Sequence, residues 1–294
     1  MTYCVAMRLD AGLVFLADSR TNAGVDQIST FRKMTVFEVP GERLLVLMSA
    51  GNLAITQAVR QIICEQPGAE GRNLWQVPSL FDAAGVVGDA VRSVHARDGQ
   101  ALKDAGIEFN CSFLLGGQVH GETMRLFQVY AAGNFIEATP ENPYFQIGES
   151  KYGKPIVDRI ITPETPLGEA AKCALISMDS TLRSNISVGL PLDLLVYEEG
   201  CLRVTRFARI DESNQYMRMI RNTWGARLRQ VFGEIPDPAW SSAEGQGDLG
   251  AERHQTAPVR AAIPPSLSRG AGDAQPETSI QQLAQQRPGQ CPST

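Results

Sequence analysis

The stretch that decides the fold is TYCVAMRLDAGLVFLAD, residues 2–18. Two strand-like runs, 3–9 and 12–18, are joined by Asp10-Ala11-Gly12, whose Asp and Gly favour a tight turn. The pattern predicts a β-hairpin whose first strand starts directly after Thr2. We therefore expect this second residue to be held in a fixed position, since no flexible segment separates it from the strand.

Outward from this hairpin, groups of strands alternate with groups of helices. Two more hairpins are predicted, one over residues 33–39 and 43–48 and one over residues 192–198 and 202–206. Further strands are predicted at 110–116, 124–131 and 145–147. Helical spacing of apolar residues and start signals predict helices at 53–64 (with Asn52 as N-cap), 78–96, 155–161, 167–182 and 213–232.

This order of elements indicates the fold class. Strands grouped in hairpins and helices grouped in pairs favour antiparallel sheets that are covered by helices. Two such sheets stacked face to face, with helices outside, form a four-layer αββα sandwich, which is an α+β fold. A generic α+β domain fits the same order, so the pattern alone leaves both architectures open.

Most of the chain has the composition of a globular protein. Of its 294 residues, 43% are hydrophobic and 20% are charged. After residue 236 the chain is rich in Pro, Gln, Gly, Ser and Ala, with Trp240 as its one aromatic residue. Such a segment cannot bury enough apolar surface to offset its chain entropy. We predict a folded domain over residues 2–236 and a disordered tail over residues 237–294.

Charge and residue usage disfavour several kinds of partner and cofactor. A net charge of -5 gives no general attraction for nucleic acid or for an anionic membrane, and the start lacks the pattern of a secretory signal. We expect a cytoplasmic protein. The six cysteines lack CxxC spacing and there are three histidines, so the cysteines are interpreted as small core residues, without disulfides. No metal site and no cofactor is predicted.

Thr2 carries the groups of an N-terminal nucleophile. Methionine aminopeptidases remove Met1 when a small residue follows, which would give Thr2 both a hydroxyl and a free α-amine. The hydroxyl is a weak nucleophile at neutral pH, and the amine, with an ordinary pKa of about 7.7–8.0, can accept its proton. The alternative interpretation is that a threonine stands second by chance and has no role.

Asp18 and Lys33 are the charged residues predicted to lie near this terminus. Asp18 ends the second strand of the hairpin, and Lys33 begins the next predicted strand after a polar stretch. A buried Lys33 paired with Asp18 would lower the pKa of the Thr2 hydroxyl and amine. The alternatives are a turn-forming aspartate and a solvated lysine at a strand edge.

Four segments together are similar to a known class of enzymes: TYCVA (2–6), GLVFLADSRTNAG (12–24), ISTFRKM (28–34) and LLVLMSAGNLA (44–54). They resemble the proteasome β-type subunits, which are N-terminal nucleophile hydrolases. DSRTNAGVDQISTFRKM and IGESKYGKP resemble the bacterial branch called Anbu, an ancestral β-subunit relative. The resemblance covers about residues 2–232. It implies the αββα fold, self-assembly into a ring or a helical homo-oligomer, and peptide or unfolded-protein substrates.

The resemblance also implies catalytic roles for individual residues. Thr2 matches the nucleophile, and Asp18 and Lys33 match the pair that tunes it. Gly51, in Ser49-Ala50-Gly51, matches the glycine whose backbone N–H binds the oxyanion. A helix-start turn is the structural alternative for Gly51, and both interpretations can hold together.

Two serines complete the implied site, and two positions depart from the family pattern. Ser187 falls where the family has a serine near the nucleophile's amine, and Ser150 (or its neighbour Glu149) falls near another assisting serine. Tyr3 stands where classical β-subunits have another threonine. Ser184 stands in place of an aspartate that orients the amine.

Three functions remain open from the sequence. The first is a threonine-type endopeptidase enclosed in a chamber of its own subunits. The second is an N-terminal nucleophile amidohydrolase that cleaves a small amide or isopeptide bond. The third is a non-catalytic scaffold subunit, which the Ser184 departure favours and the joint presence of Thr2, Asp18 and Lys33 disfavours. The sequence does not indicate whether an ATPase partner delivers substrates to the chamber.

Overall fold

The computed structural model describes residues 2–23, 27–65 and 73–238. The strands are β1 Tyr3–Leu9, β2 Gly12–Asp18, β3 Arg20–Ala23, β4 Gln27–Thr30, β5 Met34–Val39, β6 Arg43–Gly51, β7 Cys111–Val119, β8 Arg125–Val129, β9 Phe135–Glu137, β10 Tyr144–Gly148, β11 Leu192–Glu198 and β12 Arg206–Ile210. The helices are α1 Leu53–Glu65, α2 Leu80–Asp104, α3 Lys154–Ile160, α4 Leu167–Ser184 and α5 Gln215–Glu234.

Ten of these strands form two antiparallel sheets. Sheet 1 has the order β10-β1-β2-β11-β12, and sheet 2 has the order β5-β6-β7-β8-β9. Strands β3 and β4 form a separate two-stranded ribbon between β2 and β5 along the chain. The predicted first hairpin is confirmed, with Cys4 paired to Ala17 and Leu9 paired to Gly12. Strand β1 is thus an inner strand of sheet 1, between β10 and β2.

Three layers of buried apolar side chains separate the elements. Alternate residues of β1 and β2, such as Ala6 and Phe15, pack between the two sheets against residues such as Leu44. The opposite face of sheet 1 packs on α3, α4 and α5, and the outer face of sheet 2 packs on α1 and α2. The predicted four-layer αββα sandwich, an α+β fold, is therefore confirmed. None of the described helices combines the length and apolarity that a membrane crossing needs.

One predicted strand is wrong, because the last hairpin has a longer connection than expected. The partner of β11 begins at Arg206 instead of ending there, so residues 202–206 do not form the strand. Leu202 has a φ of 45°, a left-handed conformation that a strand cannot contain. Its backbone N–H donates to the Tyr197 hydroxyl, and the N–H of Val204 donates to Glu38. The connection is thus folded against β11 and β5.

Other differences concern elements with a weak pattern. The ribbon β3–β4 lies in the polar stretch before Lys33, where no strand was predicted, because its polar residues lack the alternation of a half-buried strand. The three-residue strand β9 was not predicted either. Among the cysteines, Cys4, Cys111 and Cys173 are buried as expected, whereas Cys64 is exposed. The predicted disordered tail lies outside the described residues, apart from positions 237 and 238.

Candidate active site

Thr2 is held at the start of β1 by the end of β10. Its side chain is nearly buried, with the residue 8% exposed. The backbone N–H of Glu149 donates to the Thr2 carbonyl oxygen at 2.7 Å. Gly148 approaches the same carbonyl so closely, at a φ of +82°, that an added Cβ would lie 1.9 Å from it. Only glycine therefore fits at this position, and the close approach fixes the backbone of Thr2.

Asp18 and Lys33 form a buried ion pair beside the start of β1. The Lys33 ammonium donates to Asp18 Oδ1 at 2.6 Å and to the carbonyl oxygen of Arg20 at 2.7 Å. Asp18 Oδ1 also accepts the backbone N–H of Tyr3 at 3.0 Å, and Asp18 Oδ2 accepts that of Gly189 at 3.3 Å. The side chain of Asp18 is fully buried and that of Lys33 is nearly so. The carboxylate thus ties the start of β1 to Lys33.

The environment of Asp18 contains opposing effects on its charge. Burial raises the pKa of the Asp18 carboxyl above its ordinary value, while the Lys33 ammonium and the two backbone N–H groups act in the other direction. Burial also raises the pKa of the neighbouring Cys4 thiol, and the negative Asp18 adds to that effect. Cys4 is therefore a protonated core residue at neutral pH and does not compete with Thr2 as a nucleophile.

A cleft of about 780 Å³ opens in front of this pair. Thr2, Lys33 and Gly51 all line it, together with Ser49 and residues of α1. Gly51 has a φ of +111°, and an added Cβ would lie 2.5 Å from the carbonyl oxygen of Asn110. The bend at the end of β6 therefore needs glycine. It leads directly into α1, where Asn52 Oδ1 accepts the N–H of Ala54 as the predicted N-cap.

The two predicted serines lie close to the site along the chain but do not line this cleft. Ser150 begins a short 3-10 turn directly after Glu149, whose N–H binds Thr2. Ser187 lies in the loop after α4, with its N–H donated to Asn185 at 2.9 Å. That loop reaches the site through Gly189, the donor to Asp18. The structure thus brings four of the six predicted residues together and leaves Ser187 and Ser150 beside them.

Position 184, where the family has an aspartate, is a serine here, and the nearest carboxylate before it in the chain is that of Asp179. Ser184 is the last residue of α4 and is exposed. Asp179, one turn earlier, is buried and accepts hydrogen bonds from Arg183 at 3.2 Å and from Arg221 of α5 at 3.0 Å. Its carboxylate joins two helices of the outer layer. Both carboxylate oxygens of Asp179 are therefore engaged with arginines of α4 and α5.

Two supporting residues were not singled out from the sequence. Arg20 donates to the carbonyl oxygen of Ile186 at 2.9 Å and packs on Gly189, where an added Cβ would lie 2.1 Å from Arg20 Nε. Arg20 thereby holds the loop that carries a donor to Asp18. The buried hydroxyl of Tyr3 bonds to Ser177 of α4 at 2.6 Å, and this contact fixes β1 against its helix layer. The sequence features that came closest to indicating these two residues were the Asp18-x-Arg20 spacing and the departure from the family pattern at Tyr3.

No described group of three or more His, Cys, Asp or Glu side chains is arranged to hold a metal ion. A hydroxyl, a buried ammonium and a glycine bend that line one cleft suit acyl transfer.

Solved structures of Anbu proteins are similar to this chain over most of its length. Anbu (ancestral β-subunit) from Yersinia bercovieri is 54% identical, with a TM-score of 0.74, and the match covers 80% of this chain and 97% of that one. An Anbu (Gly-1) mutant from Hyphomicrobium sp. strain MC1 is 52% identical, with a TM-score of 0.75 and coverages of 81% and 99%. A helical assembly of the Anbu complex from Pseudomonas aeruginosa is 49% identical, with a TM-score of 0.77 and coverages of 83% and 100%. No protein-family model matches the chain, and the comparison with curated proteins found no match.

Proposed function

We propose that this chain, which belongs to the Anbu (ancestral β-subunit) family, is a threonine-type endopeptidase whose nucleophile is Thr2 after removal of Met1. The observation that carries the proposal is the position of Thr2. It is held rigidly at the edge of a large cleft that it shares with Lys33 and Gly51, and the Asp18–Lys33 pair is buried beside it. A threonine without a catalytic role needs neither the cleft nor the buried ammonium.

The proposed reaction is acyl transfer through the Thr2 hydroxyl. The α-amine of Thr2 takes the hydroxyl proton as Oγ1 attacks the carbonyl carbon of a peptide bond. The Lys33 ammonium stabilises negative charge on Oγ1, and the backbone N–H of Gly51 stabilises the oxyanion, a contribution worth about 2.7–4 kcal/mol in comparable sites. The protonated amine then gives its proton to the leaving amine, which produces an ester on Thr2. Water hydrolyses this ester and regenerates the free threonine.

Because Ser184 replaces the aspartate that orients the α-amine in the family, other groups must orient the amine of Thr2 here. Since Asp179 is engaged with two arginines, the α-amine of Thr2 depends on groups of the neighbouring loops. Ser187 and Ser150 are the side chains that we assign to this role, because Ser150 directly follows Glu149, which is bonded to Thr2, and Ser187 lies two residues before Gly189, which is bonded to Asp18. We expect a functional nucleophile that is weaker than one supported by a carboxylate.

We further propose that the chain works as a homo-oligomer in the cytoplasm. One similar structure is described as a helical assembly, which supports self-association of a proteasome-β-like subunit into a coil or ring. Enclosure would restrict the nucleophile to peptides or unfolded proteins that can enter.

The test is the intact mass of the purified full chain before and after treatment with a peptide epoxyketone. Such a probe adds to an N-terminal threonine through its hydroxyl and its amine. We expect loss of Met1 and one adduct per chain, localised to Thr2 by fragmentation. Thr2→Ala is the matched control and should form no adduct.

Two results would contradict the proposal in different ways. Retained Met1 would make Thr2 an ordinary backbone residue and favour a scaffold subunit. Processed Thr2 that reacts with a small electrophile but not with the peptide probe would favour an amidohydrolase of small amides.

A further inference from the structure

A second cleft lies on the other side of β5 from the Thr2 cleft. It has a volume of about 500 Å³ and opens between the edge of sheet 2 and the β11–β12 edge of sheet 1. Because alternate residues of a strand face opposite sides, Met34, Val36 and Glu38 line this cleft while Thr35 lines the first one. Arg32 is the residue shared by both linings.

The walls of this second cleft are mainly apolar and aromatic. Met34, Val36, Leu195 and Val204 form its apolar surfaces. Trp75 and Phe207 stand at its mouth, where each remains nearly half exposed. Aromatic rings at a partly open mouth can contact an apolar body and can also attract a positive charge through their π faces.

Asp193 is the buried polar group of this cleft. It lies on β11 with the same side-chain direction as Leu195 and Tyr197, toward the space between the sheets, and it is 4% exposed. Its Oδ1 atom is buried and accepts no hydrogen bond from the described residues. A buried carboxylate oxygen without a donor is costly, so the native protein gains if a ligand supplies one.

The charged neighbours of Asp193 do not supply that donor. Arg209 and Arg32 are near enough to favour its ionised form, against the effect of burial, which raises the pKa of this carboxyl. Both arginines are exposed. Glu38, the other carboxylate of the cleft, already accepts the N–H of Val204. Asp193 is therefore the acceptor that a bound molecule would meet.

We propose that this second cleft binds a small organic cation with an apolar body, an amine or a guanidine, through the Asp193 carboxylate and the Trp75 and Phe207 rings. The cleft has two carboxylates, Asp193 and Glu38, among mainly apolar walls, and Arg32 is also in its lining. This set suits an organic cation better than a divalent metal ion, which takes six or more oxygen ligands or retains its water. The site is separate from Thr2, so its existence does not depend on the proposed peptidase activity.

The test is calorimetric titration of the full chain with phenethylammonium, using phenethyl alcohol as the uncharged analogue. We expect saturable binding of one ammonium per chain, and binding of the alcohol that is at least about tenfold weaker. Asp193→Asn keeps the shape of the side chain and should weaken ammonium binding by about tenfold or more. Glu212→Gln removes one charge from an exposed position and should leave binding unchanged.

A second variant keeps the test decisive if Asp193→Asn folds poorly. Phe207→Ala changes an exposed ring on the edge strand β12 and should weaken binding several-fold without loss of the fold, as checked by circular dichroism. The proposal is overturned if the alcohol binds as tightly as the ammonium, if Asp193→Asn and Phe207→Ala bind like the wild type, or if no binding is seen at millimolar concentrations.

Discussion

Two buried aspartates on neighbouring strands of sheet 1 have opposite surroundings. Asp18, at the end of β2, accepts hydrogen bonds from Lys33, Tyr3 and Gly189. Asp193, at the start of β11, has an Oδ1 atom that accepts none from the described part of the chain. Asp193 lines the second cleft, and Asp18 is bonded to Lys33, which lines the Thr2 cleft. Only Asp18 has its hydrogen-bond donors supplied by the chain itself.

The difference shows what each carboxylate can do. A carboxylate with all its donors supplied by the chain is rigid, and it can position Lys33 and the start of β1. A carboxylate with an open acceptor is an energetic cost that a ligand can remove. The first arrangement is typical of catalytic machinery, and the second is typical of a binding site.

The largest effect is expected from breaking the complete pair. Lys33→Met leaves Asp18 as a buried charge without its counter-ion, and we expect a loss of about 3–5 kcal/mol in the free energy of unfolding. The same variant should form no epoxyketone adduct. Urea unfolding at one fixed protein concentration measures the first effect and intact mass the second.

The double variant Asp18→Asn/Lys33→Met separates stability from reactivity. Removing both charges should restore much of the lost stability, while the adduct should remain absent. If Lys33→Met alone unfolds like the wild type and still reacts, the ion pair has neither of the roles assigned to it.

The next largest effect is expected at the glycine bend, Gly51, which lines the same cleft as Thr2. Gly51→Ala combines a left-handed φ with a close approach to Asn110, so we expect a loss of about 1–3 kcal/mol and slower adduct formation. Gly41→Ala is the matched control, because Gly41 has a φ of +79° but open space around its Cα. Equal losses in both variants, with equal adduct rates, would show that the contact at Asn110 and the direction of the Gly51 N–H are unimportant.

A smaller effect is expected at a third buried aspartate, outside both clefts. Arg221→Met removes one of the two arginines bonded to Asp179, while Arg183 remains. Since both arginines are partly exposed to solvent, we expect a loss of only about 1 kcal/mol. Reactivity of Thr2 should not change, and Arg227→Met on the same helix should have no measurable effect on stability. A loss of adduct in Arg221→Met would instead link Asp179 to the active site.

The smallest effect, and one of opposite sign, is expected from Asp193→Asn. Burial raises the pKa of the Asp193 carboxyl, and Arg209 and Arg32 only partly offset this effect. Glu38 is the other carboxylate in the same cleft. The folded protein therefore holds the Asp193 proton more tightly than the unfolded chain does. The wild type should therefore lose stability relative to the variant as the pH rises from about 4 to neutral. Unfolding midpoints in urea across this range test the sign. A wild type that gains on the variant with rising pH would mean that Asp193 has donors in solution.

Local patterns were enough to predict the first hairpin, the helices and the meeting of Asp18 with the start of β1. A strand has a period of two residues, and a turn at Asp10-Ala11-Gly12 sets the register that brings Asp18 back beside Tyr3 at the start of β1. The third hairpin was misplaced because its connection depends on contacts from Leu202 and Val204 to Tyr197 and Glu38, which no local pattern encodes.

The sequence by itself determined the α+β class, the family resemblance, which implied the layered fold, and the candidate nucleophile with its charged pair. These depend on short-range periodicity and on motifs that can be compared directly. Only the tertiary structure decided that Gly189 and Arg20 complete the Asp18 environment and that Asp193 is left without a donor. The physical reason is that donors and acceptors far apart in the chain are paired by the packing of the sheets. A polar residue in an apolar strand, such as Asp193 in LPLDLLVY, signals a special site but cannot show which side chains surround it.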